Sequence, residues 1–437
     1  MAKHGKRYDT AKAEIDPAGN YAPLDGFRLL VSQEVARFDT TVEAHFRLGV
    51  NVRHAEEQLR GTIALPHGTG RSVTVAVFAE GPKATEASEA AVEDVEDEAR
   101  LDGWLKENVE GYQGPLTVLQ FKGGQSNPTY KLSGPSGTWV MRAKPGPVAK
   151  LLPSAHAIER EFAVMSGLQG TDVPVPRMYC LCEDESVIGR AFYVMEFVQG
   201  RVLWDQALPG LTREQRREIY LEMNRVIAAL HAVDHKAQGL ENFGKPGNYF
   251  DRQIGRWSKQ YRASVTQPIA EMDKLMDWLP AHMPDSARAD LTCIVHGDFR
   301  LDNMIFHPDE PRILAVLDWE LSTLGHPLAD FSYHCMSWHI PPGSFRGIGG
   351  LDHAELGIPL EDEYIDLYCK RSGITTLEAL KKDWNFYLAY NMFRIAAILQ
   401  GIAKRVEDGT ASSAQAKASG AGARPMAELA WLFAQRH

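Results

Sequence analysis

Apolar residues recur along this chain at two spacings, and the spacing changes in a definite order. In the first fifth, apolar and polar residues alternate over 42–48 and again over 73–77, which is typical of strands. Short β-rich runs follow over 115–140 and are interrupted by glycine-rich turns. A helix is predicted over 156–168 and a further strand over 191–197, just before Gly200.

Beyond Gly200 the spacing becomes helical. Thr212 and Gln215 match a capping box, and apolar residues then recur every three or four positions up to Leu230. A short β-rich block over 294–318 interrupts the helices, which resume to the end of the chain. This order predicts a small β lobe, a hinge and a large helical lobe.

Composition narrows the class of protein. The chain has 437 residues and a net charge of −10, which argues against wholesale nucleic-acid binding. No apolar run approaches the roughly 18 residues that a membrane span needs. The five cysteines have no metal-ligand spacing, so we expect reduced thiols in a cytoplasmic protein.

The charge is uneven and marks a boundary. Residues 1–85 hold 11 Lys/Arg and 10 Asp/Glu, a balance of +1, so the remainder has a balance of −11. Residues 86–98 contain seven acidic residues and no basic one, which is typical of a solvated linker or a helix start.

Polar side chains stand at both ends of the block over 294–318. Asp298 and Asn303 come at the start of one apolar run, and Asp318 ends a second run, 313–317, after a proline-containing turn. A hairpin of this length brings Asn303 and Asp318 to the same end, beside Asp298. One carboxylate can then orient an attacking hydroxyl and accept its proton, while a second carboxylate and an amide oxygen hold Mg²⁺. The pattern favours phosphoryl transfer.

The spacing His-x-Asp-x4-Asn, followed by an apolar hairpin and Asp, resembles the aminoglycoside phosphotransferase and choline kinase family. That resemblance implies an α+β, protein-kinase-like two-lobed fold that uses ATP and Mg²⁺. It implies that Asp298 is the catalytic base and that Asn303 and Asp318 bind the metal. His296 and Asp330 are implied as structural support.

The same resemblance locates the nucleotide site. The implied ATP-binding residues are Gly123, Gly124, Ser126, Asn127, Arg142, Lys144, Glu161, Glu196 and Val198. Arg142 aligns with the lysine that binds phosphate in the family, and Lys144 points to the same face, so either cation can act as the clamp. Glu161 is implied as the partner of that cation, and Glu159, on another helix face, is the weaker candidate.

The acceptor is indicated by other segments. Residues 150–156, 247–257 and 323–327 resemble the kinase-like domain associated with acyl-CoA dehydrogenases. This implies a hydroxylated acyl acceptor, such as a hydroxyacyl-CoA or a hydroxy acid. The candidate substrate residues are Tyr249, Arg256, Trp257, Tyr333 and Trp338. An aminoglycoside or amino-alcohol acceptor stays open, because the −11 balance allows an acidic cleft.

The first residues resemble a different family. The motifs at 3–8, 38–43 and 60–70 are similar to the start of large-subunit ribosomal protein one, a stalk protein that binds ribosomal RNA. The resemblance implies a partial α/β segment over about residues 3–85, because that family builds its domain from both chain ends. With the second half absent and a balance of only +1, RNA binding is not expected.

These observations predict four segments and one leading function. The segments are a truncated ribosomal-protein-like part (1–85), an acidic linker (86–98), a kinase-like N-terminal lobe (99–198) and a kinase-like C-terminal lobe (199–437). We expect an ATP- and Mg²⁺-dependent phosphotransferase that acts on a small hydroxylated molecule, with no membrane partner. The alternatives are an RNA-binding ribosomal-type protein with a passive kinase-like domain, and a pseudokinase, which the intact Asp298, Asn303 and Asp318 disfavour.

Overall fold

The computed structural model of the protein describes residues 12–13, 15–16, 19, 21–32, 95–121, 127–144, 157–409 and 416–436. The chain divides into two units, Met1–Ala79 and Glu80–His437. In the first unit, helix α1 is described over Pro23–Ser32. The strands predicted over 42–48 and 73–77, with most of the expected ribosomal-protein-like segment, lie outside the described residues.

A five-stranded antiparallel sheet forms the small lobe of the second unit. Its strands are β1 (Thr117–Gln120), β2 (Thr129–Gly134), β3 (Gly137–Ala143), β4 (Met178–Cys182) and β5 (Phe192–Glu196). Their order across the sheet is β1-β2-β3-β5-β4. The β-rich runs predicted over 115–140 and 191–197 are confirmed.

Both faces of this sheet are covered, and β5 shows how. Phe192 and Val194 belong to the apolar cluster built around helix α2 (Val95–Asn108), because alternate side chains of a strand point to the same face. Tyr193 and Met195 point the other way, into the main core that includes helix α3 (Ile158–Leu168). The predicted helix over 156–168 is therefore confirmed, and residues 95–98 of the acidic segment form the first turn of α2.

The large lobe is helical, as its apolar spacing predicts. Its helices are α4 (Arg213–Ala232), α5 (Tyr249–Ser264), α6 (Ala270–Ala281), α7 (Asp285–Arg288), α8 (Pro327–Cys335), α9 (His353–Leu356), α10 (Glu361–Ser372), α11 (Leu377–Glu407), α12 (Ala416–Ala421) and α13 (Ala423–Ala434). The capping box is confirmed, because Gln215 N donates to Thr212 Oγ1 and Thr212 N donates to Gln215 Oε1. Among the described residues, no helix has both the length and the apolar character that a bilayer span requires.

Two short strand pairs lie where the lobes meet. The predicted hairpin is confirmed as β7 (Met304–Phe306) and β8 (Ile313–Val316), and β6 (Cys293–Val295) pairs with β9 (Thr323–Gly325). The chain leaving the sheet runs along this hairpin, because the backbones of Arg201 and Phe306 exchange two hydrogen bonds of 2.9 Å. Gly200 permits this approach, since a Cβ there would lie 2.3 Å from the carbonyl oxygen of Phe306. The segment that contains Gly200 and Arg201 thereby holds the β7–β8 hairpin next to the small lobe.

Candidate active site

Asp298 lies on the loop after β6, with its carboxylate held from several sides. Oδ1 accepts a hydrogen bond from the phenol of Tyr333, which stays a donor because burial and the nearby Asp298 charge raise the pKa of Tyr333. Oδ2 lies 3.1 Å from the amide Nδ2 of Asn303 and 3.1 Å from Nε of Arg300. The side chain is 16% exposed, so it remains accessible from solvent despite these contacts.

The loop before Asp298 is fixed by a buried carboxylate. Asp330 accepts backbone hydrogen bonds from His296 (2.7 Å) and Gly297 (2.8 Å), and its Oδ2 lies 3.3 Å from Nε2 of His231. Burial opposes the charge, but the hydrogen bond from His231 and the nearby imidazoles hold the pKa of Asp330 below its ordinary value. The structure thus places His296 and Asp330 where they support the loop.

Asn303 and Asp318 lie at the same end of the hairpin. The backbone N–H of Leu317 donates to the carbonyl of Asn303 at 2.8 Å, so the residues that flank the two strands are adjacent. Nδ2 of Asn303 donates to the carbonyl and to Oδ2 of Asp298, which leaves Oδ1 without a hydrogen bond to any described residue. Asp318 adopts a left-handed conformation, with φ of 65° and ψ of 57°.

This donor set fits Mg²⁺. An amide oxygen and a carboxylate are hard oxygen ligands, and Mg²⁺ in kinase-type sites is bound by one or two carboxylates together with substrate phosphates. Within the described ranges, no cluster of three His, Cys, Asp or Glu side chains forms a complete protein cage. The site therefore suits a cation that shares its coordination with a nucleotide.

Arg142 is the cation of the small lobe that reaches the hairpin. Its Nε lies 3.1 Å from Glu161, and one terminal nitrogen lies 3.0 Å from Asp318 and 3.7 Å from Glu320. Burial opposes its charge, but these carboxylates outweigh burial and hold the pKa of Arg142 above its ordinary value. Lys144 instead pairs with Glu159. The two candidate phosphate clamps therefore have different partners: Arg142 faces Asp318 of the hairpin, whereas Lys144 is paired with Glu159.

The other residues predicted to bind the nucleotide differ in how the structure describes them. Gly123, Gly124 and Ser126 lie outside the described residues. Asn127 is 1% exposed, and its Nδ2 donates to Glu161 at 2.8 Å, so its side chain supports the ion pair. At the end of β5, Glu196 is exposed and accepts a hydrogen bond from the backbone of Arg177, while Val198 is half-buried.

Two of the predicted acceptor residues lie around the guanidinium of Arg394, which is 5.1 Å over the ring of Tyr333 and 5.7 Å over the ring of Trp257. Tyr333 also contacts Asp298. Trp257 is buried, Arg256 lies 5.3 Å over its ring, and Tyr249 is half-buried. Trp338 is buried, its indole donates to the carbonyl of Pro359, and its rings pack on Tyr220 and Tyr364.

The structure adds residues that the sequence reasoning missed. Arg300 contacts Asp298 and lies 3.5 Å from Asp302, which in turn binds Arg346 at 2.6 Å. Arg394 donates to the carbonyl of Gly297 at 2.7 Å and lies 5.1 Å over the ring of Tyr333. Arg300 could have been found from its position between Asp298 and Asn303. No local sequence pattern indicates Arg394 or Arg346, because both are distant in sequence from the Asp298 loop that they contact.

Two families match different parts of the chain. Residues 117–369 match the phosphotransferase enzyme family. Residues 30–111 match the ribosomal protein L1p/L10e family, which extends the expected resemblance past residue 85 into α2. Both resemblances expected from the motifs are confirmed.

Individual proteins agree with the first match. Acyl-CoA dehydrogenase family member 10 of Mus musculus is 50% identical over 326 residues, which are 74% of this chain but only 30% of that protein. A solved Ralstonia eutropha protein named after the aminoglycoside phosphotransferases is 65% identical, with a TM-score of 0.71, and covers 77% of this chain and 98% of its own. Choline kinase of Cryptosporidium parvum shares the fold at 12% identity, with a TM-score of 0.53 over 77% of this chain and 95% of its own. The expected two-lobed, kinase-like fold is confirmed.

Proposed function

Since the chain belongs to the phosphotransferase enzyme family, we propose that it transfers the γ-phosphoryl group of ATP to a hydroxyl group of a small molecule. One arrangement carries this proposal. Asp298, Asn303 and Asp318 meet at one end of the β7–β8 hairpin, and Arg142 reaches Asp318 from the small lobe. A base, two metal ligands and a phosphate-binding cation are what phosphoryl transfer requires.

We assign to Asp298 the role of catalytic base for the hydroxyl group of the acceptor. Its carboxylate orients the attacking hydroxyl and takes up the proton as the bond from oxygen to the γ-phosphorus forms and the bond to ADP breaks. Tyr333 and Asn303 restrict the rotation of this carboxylate, since each donates a hydrogen bond to one of its oxygens. Arg300, at 3.1 Å from Oδ2, adds positive charge where the transferring phosphoryl group would lie.

We assign to Asn303 and Asp318 the binding of the metal ion that accompanies the nucleotide. They would hold Mg²⁺ together with phosphate oxygens of ATP, where the cation neutralises charge on the transferring group. Arg142 is our choice as the clamp, because it is anchored by Glu161 and already faces Asp318. Lys144, paired with Glu159 away from Asp318, is the second candidate.

For the acceptor we favour a hydroxyacyl-CoA or a hydroxy acid. The support comes from the relative named as an acyl-CoA dehydrogenase family member, which is 50% identical to this chain. The chain spans about a third of the length of that relative, so its activity is not transferred directly. An aminoglycoside or amino alcohol is the alternative, supported by the name of the 65% identical Ralstonia protein.

A substrate screen tests this proposal. The full chain would be incubated with Mg²⁺ and ATP, and ADP release would be followed over hydroxyacyl-CoAs, free hydroxy acids, amino alcohols and aminoglycosides. Transfer is confirmed when the phosphorylated acceptor is found by mass spectrometry and the Asp298→Asn variant forms it at least about a hundredfold more slowly. ADP release without any phosphorylated acceptor would leave hydrolysis as the activity and contradict the proposal.

The match over 30–111 supports a second candidate, ribosomal RNA binding by the first segment. We do not favour it, because residues 1–85 carry a balance of only +1 and RNA affinity depends largely on phosphate contacts. Salt-dependent binding of ribosomal RNA that is lost on removal of residues 1–85 would establish it.

We place the reaction in the cytoplasm, whose reducing conditions suit the five free cysteines.

A further inference from the structure

A large apolar cavity lies in the helical lobe, bounded by the loop over 340–346 and by α11, α12 and α13. Its volume is about 840 Å³, within the range of roughly 300–1,000 Å³ of small-molecule sites. Six apolar side chains of the helices contribute to its wall: Ile398, Leu399, Ile402, Met426, Leu429 and Leu432. Leu432 is 41% exposed, so the cavity opens to solvent along α13.

The loop that closes one side of the cavity is held in a fixed shape. The backbone N–H groups of Gly347 and Gly349 donate to the carbonyls of Ser344 and Ile340 at 2.8 Å each. Gly347 has no room for a side chain, since a Cβ would lie 1.9 Å from the carbonyl oxygen of Ile340. Between these turns, Phe345 and Arg346 adopt positive φ values of 30° and 57°. Non-glycine residues held in this region are strained, and such strain concentrates at ligand-binding positions.

Phe345 and Arg346 also connect the cavity to the catalytic loop. Both line a second, small recess whose wall includes Arg300 and Tyr333. Those two side chains contact the carboxylate of Asp298 directly. The large cavity therefore shares Phe345 and Arg346 with a recess whose other wall includes the side chains that contact Asp298.

The charges along this path suit a largely uncharged chain. The small recess is lined by the guanidinium groups of Arg300 and Arg346, whose charges are compensated by Asp298 and Asp302. In the large cavity Glu428 is the one carboxylate among the described lining residues. A polycationic aminoglycoside would find only this one carboxylate among the described residues that line the large cavity.

We propose that this cavity binds the aliphatic chain of the acceptor, whose hydroxyl group then lies at Asp298. The proposal rests on the proposed phosphotransferase function and specifies its acceptor as an amphipathic molecule with an extended hydrocarbon chain. Leu429 and Ile402 supply apolar contacts for the chain, and Arg346 lies between the chain and the catalytic loop. Affinity should come mainly from buried methylene groups.

The test measures binding without catalysis. Hexanoate, octanoate and decanoate have no hydroxyl group to phosphorylate, and their binding to the full chain can be followed by titration calorimetry. We expect the dissociation constant to fall roughly fourfold per methylene, which is ~0.8 kcal/mol per buried CH₂ converted at about 1.4 kcal/mol per tenfold.

Two variants fill the cavity and one serves as the control. Leu429→Trp projects into it from α13, and Ser419→Trp does so from the exposed side of α12, where folding is not at risk. Both should weaken decanoate binding at least tenfold, while Leu360→Trp, at a position 54% exposed and outside the cavity, should not. Equal affinity for all three chain lengths, no binding, or equal weakening by Leu360→Trp would overturn the proposal. If the protein forms a dimer in solution, and Ser419→Trp dissociates it without changing decanoate binding, the cavity is an interface between copies of the chain and the proposal is also overturned. Because no phosphoryl transfer is needed, these outcomes are independent of the substrate screen.

Discussion

Arg142 on β3 donates a hydrogen bond of 3.0 Å to Oδ1 of Asp318, a residue 176 positions further along the chain. The same guanidinium lies 3.1 Å from Glu161, which is 1% exposed. Arg142 therefore links α3, the sheet and the hairpin through one planar group that can meet two carboxylates at once. An ammonium on a flexible stem has no such fork, so the arginine at this position has a geometric role.

Replacement of Arg142 by lysine tests that role. In Arg142→Lys we expect the KM for ATP to rise about tenfold, because a single ammonium cannot keep both the Glu161 and the Asp318 contacts. The KM for the acceptor should change little. Steady-state kinetics with each substrate varied in turn would show this difference. A larger effect on the KM for ATP in Lys144→Gln than in Arg142→Lys would instead assign the clamp to Lys144.

Tyr333 offers a test of how Asp298 is oriented. Tyr333→Phe removes the phenol that donates to Oδ1 of Asp298. A hydrogen bond to a charged group contributes about 1.5–3 kcal/mol, so kcat should fall roughly tenfold to a hundredfold with little change in the KM for ATP. Tyr364→Phe is the matched control, because it also removes a buried hydroxyl, one that contacts His334 instead. An equal loss of kcat in both variants would indicate a general packing effect.

Asp318 can be tested through the metal dependence of the rate. Asp318→Asn keeps the shape of the side chain and removes its charge, so the Mg²⁺ concentration for half-maximal rate should rise at least about tenfold. Asp309→Asn on the exposed turn of the same hairpin is the control and should leave the Mg²⁺ dependence unchanged. A parallel shift of the two variants would show that net charge, rather than coordination, determines the effect.

Two buried histidines make the fold sensitive to acid. Burial lowers the pKa of His326 and of His334 to about 4, from 6.5. Between these values the unfolded chain binds more protons than the folded one, so stability is lost as the pH falls from about 6.5 towards 4.

His326→Asn tests this sign. The asparagine can still accept the hydrogen bond from the N–H of Leu328 but does not titrate. The slope of unfolding free energy against pH, from denaturant melts between pH 6.5 and 4.5, should decrease by up to about 1.4 kcal/mol per pH unit. An unchanged slope would mean that His326 is not the group responsible.

The features that sequence predicted are those that depend on local patterns. The β7–β8 hairpin follows from two apolar runs around a turn, and the Thr212–Gln215 capping box from a four-residue motif. Asp298, Asn303 and Asp318 lie close together for the same reason, since a short hairpin brings its ends together.

Features that depend on distant packing could not be predicted from local patterns. Arg394 reaches the carbonyl of Gly297 from α11, across 97 positions of sequence, and no local pattern indicates that contact. The hydrogen bond from the side chain of Asn127 to Glu161 was likewise not predicted, because a motif does not determine which way a side chain points. The burial of Trp338, a predicted acceptor residue, also depends on distant packing, because its ring lies among helices that are far apart in sequence. The cavity between α11 and α13 arises only when these helices pack.

The direct test of phosphoryl transfer at Asp298 is a single-turnover measurement on Asp298→Asn, with Mg²⁺-ATP affinity determined on the same sample. Asparagine has nearly the same shape but cannot accept the proton of the hydroxyl. We expect the rate of phosphoryl transfer to fall by about 10²–10⁴-fold, while the dissociation constant for Mg²⁺-ATP changes by less than about threefold. A rate close to that of the unaltered protein would contradict the assignment of Asp298 as the catalytic base.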